Sequence, residues 1–174
     1  MTKKILIHTC CAPCFIMPYT KLKDDYEITA FWYNHNIHPY QEYKKRYETF
    51  KTFVNNEGIK SIVKNEYGLI PFLQKTVFEE EKRCYNCYYQ RLDETAILAK
   101  KEGFDFFTTS LLYSKRQNHE KIKEIAFYLA NINGINFLYQ DWREFWKEGI
   151  DISVEKDMYR QKYCGCIYSE MERK

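Results

Sequence analysis

Lys4-Ile-Leu-Ile-His8-Thr-Cys10-Cys11-Ala-Pro-Cys14 is the stretch that decides the fold. Its first half is a short run of branched aliphatics after a basic start, the pattern of a strand buried on both faces in a parallel sheet. Its second half puts three thiols where that strand must end. In open α/β sheets ligands bind in the crevice outside the carboxyl ends of the strands. Cys10, Cys11 and Cys14 therefore stand where a metal or redox site belongs. Pro13 and Pro18 argue against a helix starting before Cys14, so a loop is expected from Cys10 to Cys14.

Further along, Tyr26 to Tyr33 mixes β-branched and aromatic residues and reads as a second strand, broken by Asn34-His-Asn-Ile-His-Pro39. Tyr43, Tyr47, Phe50, Phe53 and Val54 recur at helical spacing, which predicts a helix from Gln41 to about Glu57 closed by Gly58. Ile59 to Val63 is a third strand. A helical region from about Leu69 to Glu81 leads into Arg83-Cys84-Tyr-Asn-Cys87, and Tyr88 to Lys101 continues as a helix with Leu92, Ala96 and Ala99 facing inward. Phe104 to Leu112 is β-rich, and the polar, basic segment Ser114 to Asn118 follows it as a loop. Glu120 to Ala130 gives another helix and Ile135 to Gln140 another strand, with Asp141-Trp-Arg143 where it stops. Strands alternate with helices at βαβ spacings. The expected fold class is α/β, one three-layer domain over 1–174 with a mostly parallel sheet, Rossmann-like or HUP-like, carrying its cysteine site at the C-terminal strand ends.

A chain of 174 residues fits one domain with one core. With 45% hydrophobic and 29% charged residues it reads as globular, and no apolar run approaches the roughly 20 residues of a membrane span. The basic N-terminus precedes no signal-peptide core, so a cytoplasmic protein is expected. In a reducing compartment seven cysteines point to metal ligation or redox chemistry before disulfides. The net charge of +3 is small, but 18% aromatic residues interleaved with Lys and Arg suit stacking on unpaired bases.

Every cysteine falls in a cluster: Cys10, Cys11 and Cys14; Cys84 and Cys87; Cys164 and Cys166. A C-x-x-C pair lets two sulfurs converge on one metal, and Gly165 lets the backbone of the C-Gly-C pair turn where other residues would resist. A four-ligand zinc site would leave three thiols over. Iron–sulfur clusters prefer thiolates, and three or four of them hold one, which leaves enough for a second, mononuclear metal. Asp141, at a strand end, could join the ligands.

The segments His8–Cys14, Asn34–Pro39 with Glu42–Arg46, Arg83–Leu92, Thr108–Asn118, Asp141–Glu144 and Met158–Cys166, in this order over nearly the whole chain, resemble the QueH-type epoxyqueuosine reductases. That resemblance implies reduction of the epoxide of epoxyqueuosine at the wobble position of tRNA. It also implies a [4Fe–4S] cluster with a neighbouring metal ion, iron or zinc, held by the clustered cysteines and a carboxylate. The chain departs from the family pattern at Lys115-Arg116, where a Ser-Pro-x-x-Asn-like motif is usual, and at His35, where proline is usual. Tyr159, Arg160 and His38 become candidates to deliver a proton or hold the departing oxygen, and an electron donor is required. A modified anticodon base must leave its stack to reach a buried site, so the mouth should offer aromatic and basic groups. Tyr88, Tyr89, Arg91, Lys115, Arg116 and Arg160 suit that rim, with Ser114, Asn118 and Arg143 as further substrate contacts. The plainer reading makes His8 and His38 satisfied strand-end histidines and Arg46 and Arg143 ordinary ion-paired arginines.

Two other functions compete. An adenine-nucleotide α-hydrolase-like tRNA-modifying enzyme would cradle phosphate in the first loop, but that loop has no glycine. A zinc-stabilised RNA-binding module would be colourless and redox-inert.

Overall fold

The computed structural model describes residues 2–173. Strand β1 (Lys3–His8) is followed by α1 (Ala12–Leu22), β2 (Tyr26–Trp32), α2 (Tyr40–Asn56) and β3 (Lys60–Val63). The second half runs α3 (Leu69–Thr76), α4 (Arg83–Lys101), β4 (Phe106–Thr109), α5 (His119–Asn133), β5 (Asn136–Phe137), α6 (Trp146–Glu155) and α7 (Ile167–Met171). The sheet order is β3-β2-β1-β4-β5, and every pairing is parallel. β1 lies at its centre with Ile5 opposite both Ile28 and Phe106. Ile5, Leu6 and Ile7 are wholly buried, as a strand covered on both faces requires, and each contributes about 1.5–3 kcal/mol of burial.

Right-handed crossovers place α1 and α2 on one face. Beyond β3 the chain returns across the sheet to β4, so the same handedness places α4 and α5 on the other face. The packing follows suit, with α1 against α2 and α6, and α4 against α5. The strand order reverses between β1 and β4, and this is the point where such sheets open a crevice. Cys10 leaves β1 there and Ser110 leaves β4 there. No described helix is long and apolar enough to cross a membrane.

Several local expectations need correction. The loop expected over Cys10–Cys14 is only a short turn, because α1 begins at Ala12 with Pro13 in its first turn. Proline is tolerated at that position, since the missing N–H would have no helical partner anyway. Pro18 sits inside the helix and leaves the Cys14 carbonyl without its bond from residue 18. Likewise Arg83–Cys87 does not precede a helix but forms the first turn of α4, so Cys84 and Cys87 share one of its sides. The helix expected to Glu81 stops at Thr76 and resumes as a single 3₁₀ turn at Glu80–Lys82. The strand expected to Leu112 ends at Thr109 and passes into a 3₁₀ turn, and β5 keeps only two of its six expected residues.

The strand ends are tied together by buried histidines. His8 bonds Thr109 Oγ1 of β4 (2.9 Å) and the Tyr33 carbonyl after β2 (3.1 Å). In the 34–39 segment, His38 Nδ1 accepts from the Ile167 N–H (3.4 Å), so its Nε2–H donates to the His35 carbonyl (3.1 Å). His35 has no partner for either ring nitrogen among the described residues and packs against Tyr33 and Phe72. Burial lowers the pKa of His35 to about 3 and of His38 to about 4. Both rings are therefore neutral in the fold at pH 7. Once unfolded, they bind protons near their ordinary value of about 6.5. Their contribution is fully present above pH 6.5 and is lost as pH falls towards 4, because there the unfolded chain binds more protons. Urea denaturation at pH 7, 6 and 5 is expected to show stability falling by up to about 3 kcal/mol per pH unit below 6.5 for this pair. A flat profile across that window would contradict their neutral burial.

Candidate metal centre

The sulfurs of Cys10, Cys11 and Cys14 all lie within 4.8 Å of one another, with Cys10 and Cys11 4.0 Å apart. The two from the turn and the one from the first turn of α1 meet because the strand-to-helix turn is so short. No other set of three candidate ligands is this close among the described residues. Ser110 closes the group from β4: its hydroxyl accepts the Cys10 N–H (2.9 Å) and donates to Cys10 Sγ (3.2 Å). Gln161, from the segment after α6, donates to Cys11 Sγ at 3.0 Å and reaches Cys14 Sγ at 3.7 Å. Hydrogen bonds with Cys11, then Cys14, hold the Cys10 thiol well below its ordinary pKa. Burial pushes Cys11 up, and its bond with Cys10 pushes Cys14 up.

The remaining four cysteines come together from α4 and the 164–166 hook. Cys87 and Cys166 are buried with Phe72 in a small apolar cluster, flanked by Leu73 and Tyr168. Cys84 and Cys164 are exposed. Burial, opposed by Arg91 and aided by the neighbouring Cys164, Cys166 and Cys84, lifts Cys87 to about 12. All seven cysteines are free thiols.

The hook is held by a buried ion pair. Arg46 of α2 bonds Glu42 (2.7 Å) and donates to the carbonyls of Tyr163 (3.0 Å) and Cys164 (2.8 Å). At Gly165 φ is +154°, and a Cβ would stand 3.1 Å from Asn36 Nδ2, so glycine alone fits without strain. Tyr163 donates to the His38 carbonyl, and Gln117 Nε2 donates to Cys164 Sγ (3.2 Å) while its oxygen accepts from Tyr88 (2.8 Å).

Between the two thiol groups lies a cavity of about 100 Å³ bordered by Cys10, Cys14, Cys164, Arg91, Ser114 and Arg160. Arg91 is wholly buried; its Nη2 donates to Cys87 Sγ (3.0 Å) and its Nε to the Cys87 carbonyl (3.2 Å). Arg116 and Arg160 are exposed at the same cavity, and Lys115 is exposed beside it. Other expected site residues are placed differently. Tyr159 does not line the cavity, and its hydroxyl donates to Glu42 (2.5 Å), with burial raising its pKa to about 12. His38 spends both nitrogens on backbone groups, as above. Asn118 caps α5 by accepting the Lys121 N–H (3.0 Å). Asp141 is not in the close thiol group: Arg143 grips its two oxygens at 2.8 and 2.6 Å and holds its carboxyl at about pKa 2. Ser110, Gln117 and Gln161, which address the sulfurs directly, were not singled out from sequence. The available signal was their position as amide and hydroxyl donors inside the cysteine-bearing and Ser114–Asn118 segments.

Three thiol-bearing segments brought to one crevice invite comparison with proteins built alike. Residues 5–172 match the family model described as Epoxyqueuosine reductase QueH. The chain is 33% identical to the epoxyqueuosine reductase QueH of Dehalococcoides mccartyi, over 99% of this chain and 96% of that one. It is also 33% identical to the protein of that name from Thermotoga maritima, over 98% and 92%, and 33% identical to that of Streptococcus pyogenes, over 95% and 69%. With the matched length spanning β1 to α7 and all seven cysteines, the chain belongs to the epoxyqueuosine reductase QueH family.

Proposed function

We propose that this chain reduces epoxyqueuosine to queuosine at the wobble position of tRNA, with a [4Fe–4S] cluster and a neighbouring mononuclear metal held by its seven thiols. Family membership supports the oxidoreductase activity and the queuosine step. The observation that carries the metal reading is the close group of Cys10, Cys11 and Cys14 beside a cavity that Cys164 of the second thiol group also borders, with the buried Arg91 on its wall.

The residues fit such a centre. At a metal–sulfur distance of about 2.3 Å, tetrahedral ligands to one ion lie about 3.8 Å apart, close to the 4.0 Å between Cys10 and Cys11. We assign the mononuclear ion, iron or zinc, to Cys10, Cys11 and Cys14. Cys84, Cys87, Cys164 and Cys166 are the four thiols that suit a cluster, which spans more space than one ion. Asp141 is already neutralised by Arg143 and would serve only if that pair opened.

Epoxide removal takes two electrons and two protons, breaks both C–O bonds, forms a C=C bond and releases water. When bound, the cluster supplies electrons one at a time and the open metal site supplies Lewis acidity. The chain's own residues do the rest. Ser110, Gln161 and Gln117 orient sulfurs by hydrogen bonds. Arg160 and Ser114 border the cavity and are assigned to the departing oxygen and the base, Arg160 as a hydrogen-bond donor because a guanidinium keeps its protons. Tyr159 and His38 act at a distance: Tyr159 orients Glu42 against Arg46, and His38 holds the hook. Lys115, Arg116 and Arg143 are assigned to tRNA phosphates, and Asn118 to the shape of their loop. A one-electron carrier must deliver the electrons.

Anaerobic purification is expected to yield about four iron and four sulfide per chain plus one further metal, with broad visible absorbance. Given epoxyqueuosine-containing tRNA and dithionite, that protein is expected to form queuosine. Zinc alone would favour the RNA-binding alternative, and an intact cluster without queuosine would count against the substrate. Lys115→Ala combined with Arg116→Ala should leave iron content unchanged while raising KM for tRNA roughly tenfold and making its salt dependence shallower by about two charges. Unchanged KM and salt slope would remove Lys115 and Arg116 from the tRNA contact.

A further inference from the structure

Arg91 does something that neither substrate contact nor ion pairing explains. Arg46, Arg83 and Arg143 each reach a carboxylate, whereas Arg91, more buried than any of them, reaches none within 4.0 Å among the described residues. Burial excludes it from a tRNA rim, although sequence suggested that role. One turn along α4 from Cys87, it spends two nitrogens on that residue's sulfur and carbonyl. The cavity it borders is also bordered by Cys10 and Cys164, so its guanidinium faces sulfurs of both thiol groups. Burial opposes its charge, but Cys87, Cys164 and Cys10 outweigh that opposition and hold it more firmly protonated than usual. Tyr88 lies under its guanidinium at 6.0 Å, and the nearby His8 and His35 are lowered, to about 4 and about 3, by burial and then by Arg91 itself. Arg91 is thus the fixed positive charge of the buried region.

A cation in a low-dielectric interior stabilises whichever oxidation state carries more negative charge, and a hydrogen bond to a ligand sulfur acts in the same direction. Adding an electron to a thiolate-bound centre makes it more negative. We propose that Arg91 is a positioning residue whose charge, set between the two thiol groups, raises the reduction potential of the centre and so lets a donor of moderate strength reduce it. The inference rests on the reading that the thiols hold a redox-active centre. The step is simple: the donor loses one electron, the centre gains one, and Arg91 keeps its protons throughout.

The test compares wild type with Arg91→Lys and Arg91→Met after anaerobic reconstitution with iron and sulfide. Iron and sulfide are counted, and the midpoint potential is read from visible absorbance and EPR during titration with dithionite and mediator dyes. Arg91→Met is expected to shift the midpoint to a more negative value, and Arg91→Lys to stay near wild type. Turnover of Arg91→Met should fall several-fold more with a weak donor than with dithionite. An unshifted midpoint in a fully loaded Arg91→Met protein would overturn the proposal. If Arg91→Met holds no iron, Arg91→Lys decides: a loaded centre near the wild-type midpoint upholds the role of the charge, and an empty or negatively shifted one overturns it. Wild-type protein without a reducible centre would refute the functional reading itself, a different outcome from loaded wild type with an indifferent Arg91.

Discussion

A guanidinium taken out of water loses hydration worth several kcal/mol, and only charge and hydrogen bonds of good geometry can replace it. In this fold Arg91 has no carboxylate to turn to among the described residues, and its partners are a sulfur, a carbonyl and the thiols across the cavity. That constraint organises the interior. The charge of Arg91 favours thiolates beside it, and after burial it is the next cause that keeps His8 and His35 neutral. The sulfurs themselves take neutral amide and hydroxyl donors, from Gln161, Gln117 and Ser110. Four thiolates around a divalent metal carry a net charge of about −2, more than one arginine balances. Neutral N–H and O–H donors to sulfur spread that charge without adding charge of their own.

The sheet supplies the place and the C-terminal hook supplies the closure. Reversal of strand order between β1 and β4 opens the crevice into which Cys10 and Ser110 project. Cys164 and Cys166 belong to a segment with little secondary structure, which Arg46 joins to α2 by two hydrogen bonds and Tyr163 and His38 hold further. Glu42 makes that arrangement tolerable by neutralising Arg46 inside the protein, and Tyr159 in turn orients Glu42. Two buried arginines thus solve the same problem in different ways. Arg46 is matched by a carboxylate and serves structure, while Arg91 is matched by sulfur and serves the site.

What could be read from sequence follows the range over which each signal acts. The aliphatic run of β1, the spacing of Tyr43, Phe50 and Val54 in α2, and the left-handed Gly58 after it are local patterns, and they set strands and helices within a few residues. Pro13 was misleading because proline forbids a helix interior but suits a helix start, and only the position of the N-cap distinguishes the two. β5 proved short because a strand needs a neighbour to pair with, which Phe104 to Leu112 supplied over only two residues. The grouping of the cysteines was visible, but their convergence was not, since Cys10 and Cys164 meet only through long-range packing. Asp141 and Tyr159 illustrate the same limit: each has the right functional group near the right motif, and each is engaged by a partner, Arg143 or Glu42, that composition does not reveal.

Exposure divides the seven thiols in a way that bears on access. Cys11, Cys14, Cys87 and Cys166 are buried, whereas Cys84 and Cys164 reach the surface and Cys10 lies between. A centre held by all of them would be shielded from solvent on its inner side and approachable on its outer side, where Arg116 and Arg160 also stand. A base entering there would meet cations before it met sulfur, so phosphate contacts could form while the base is still turning out of its stack. Long-range attraction thus precedes short-range chemistry, and the fold keeps them apart by placing exposed arginines at the mouth and the buried Arg91 between the thiol groups.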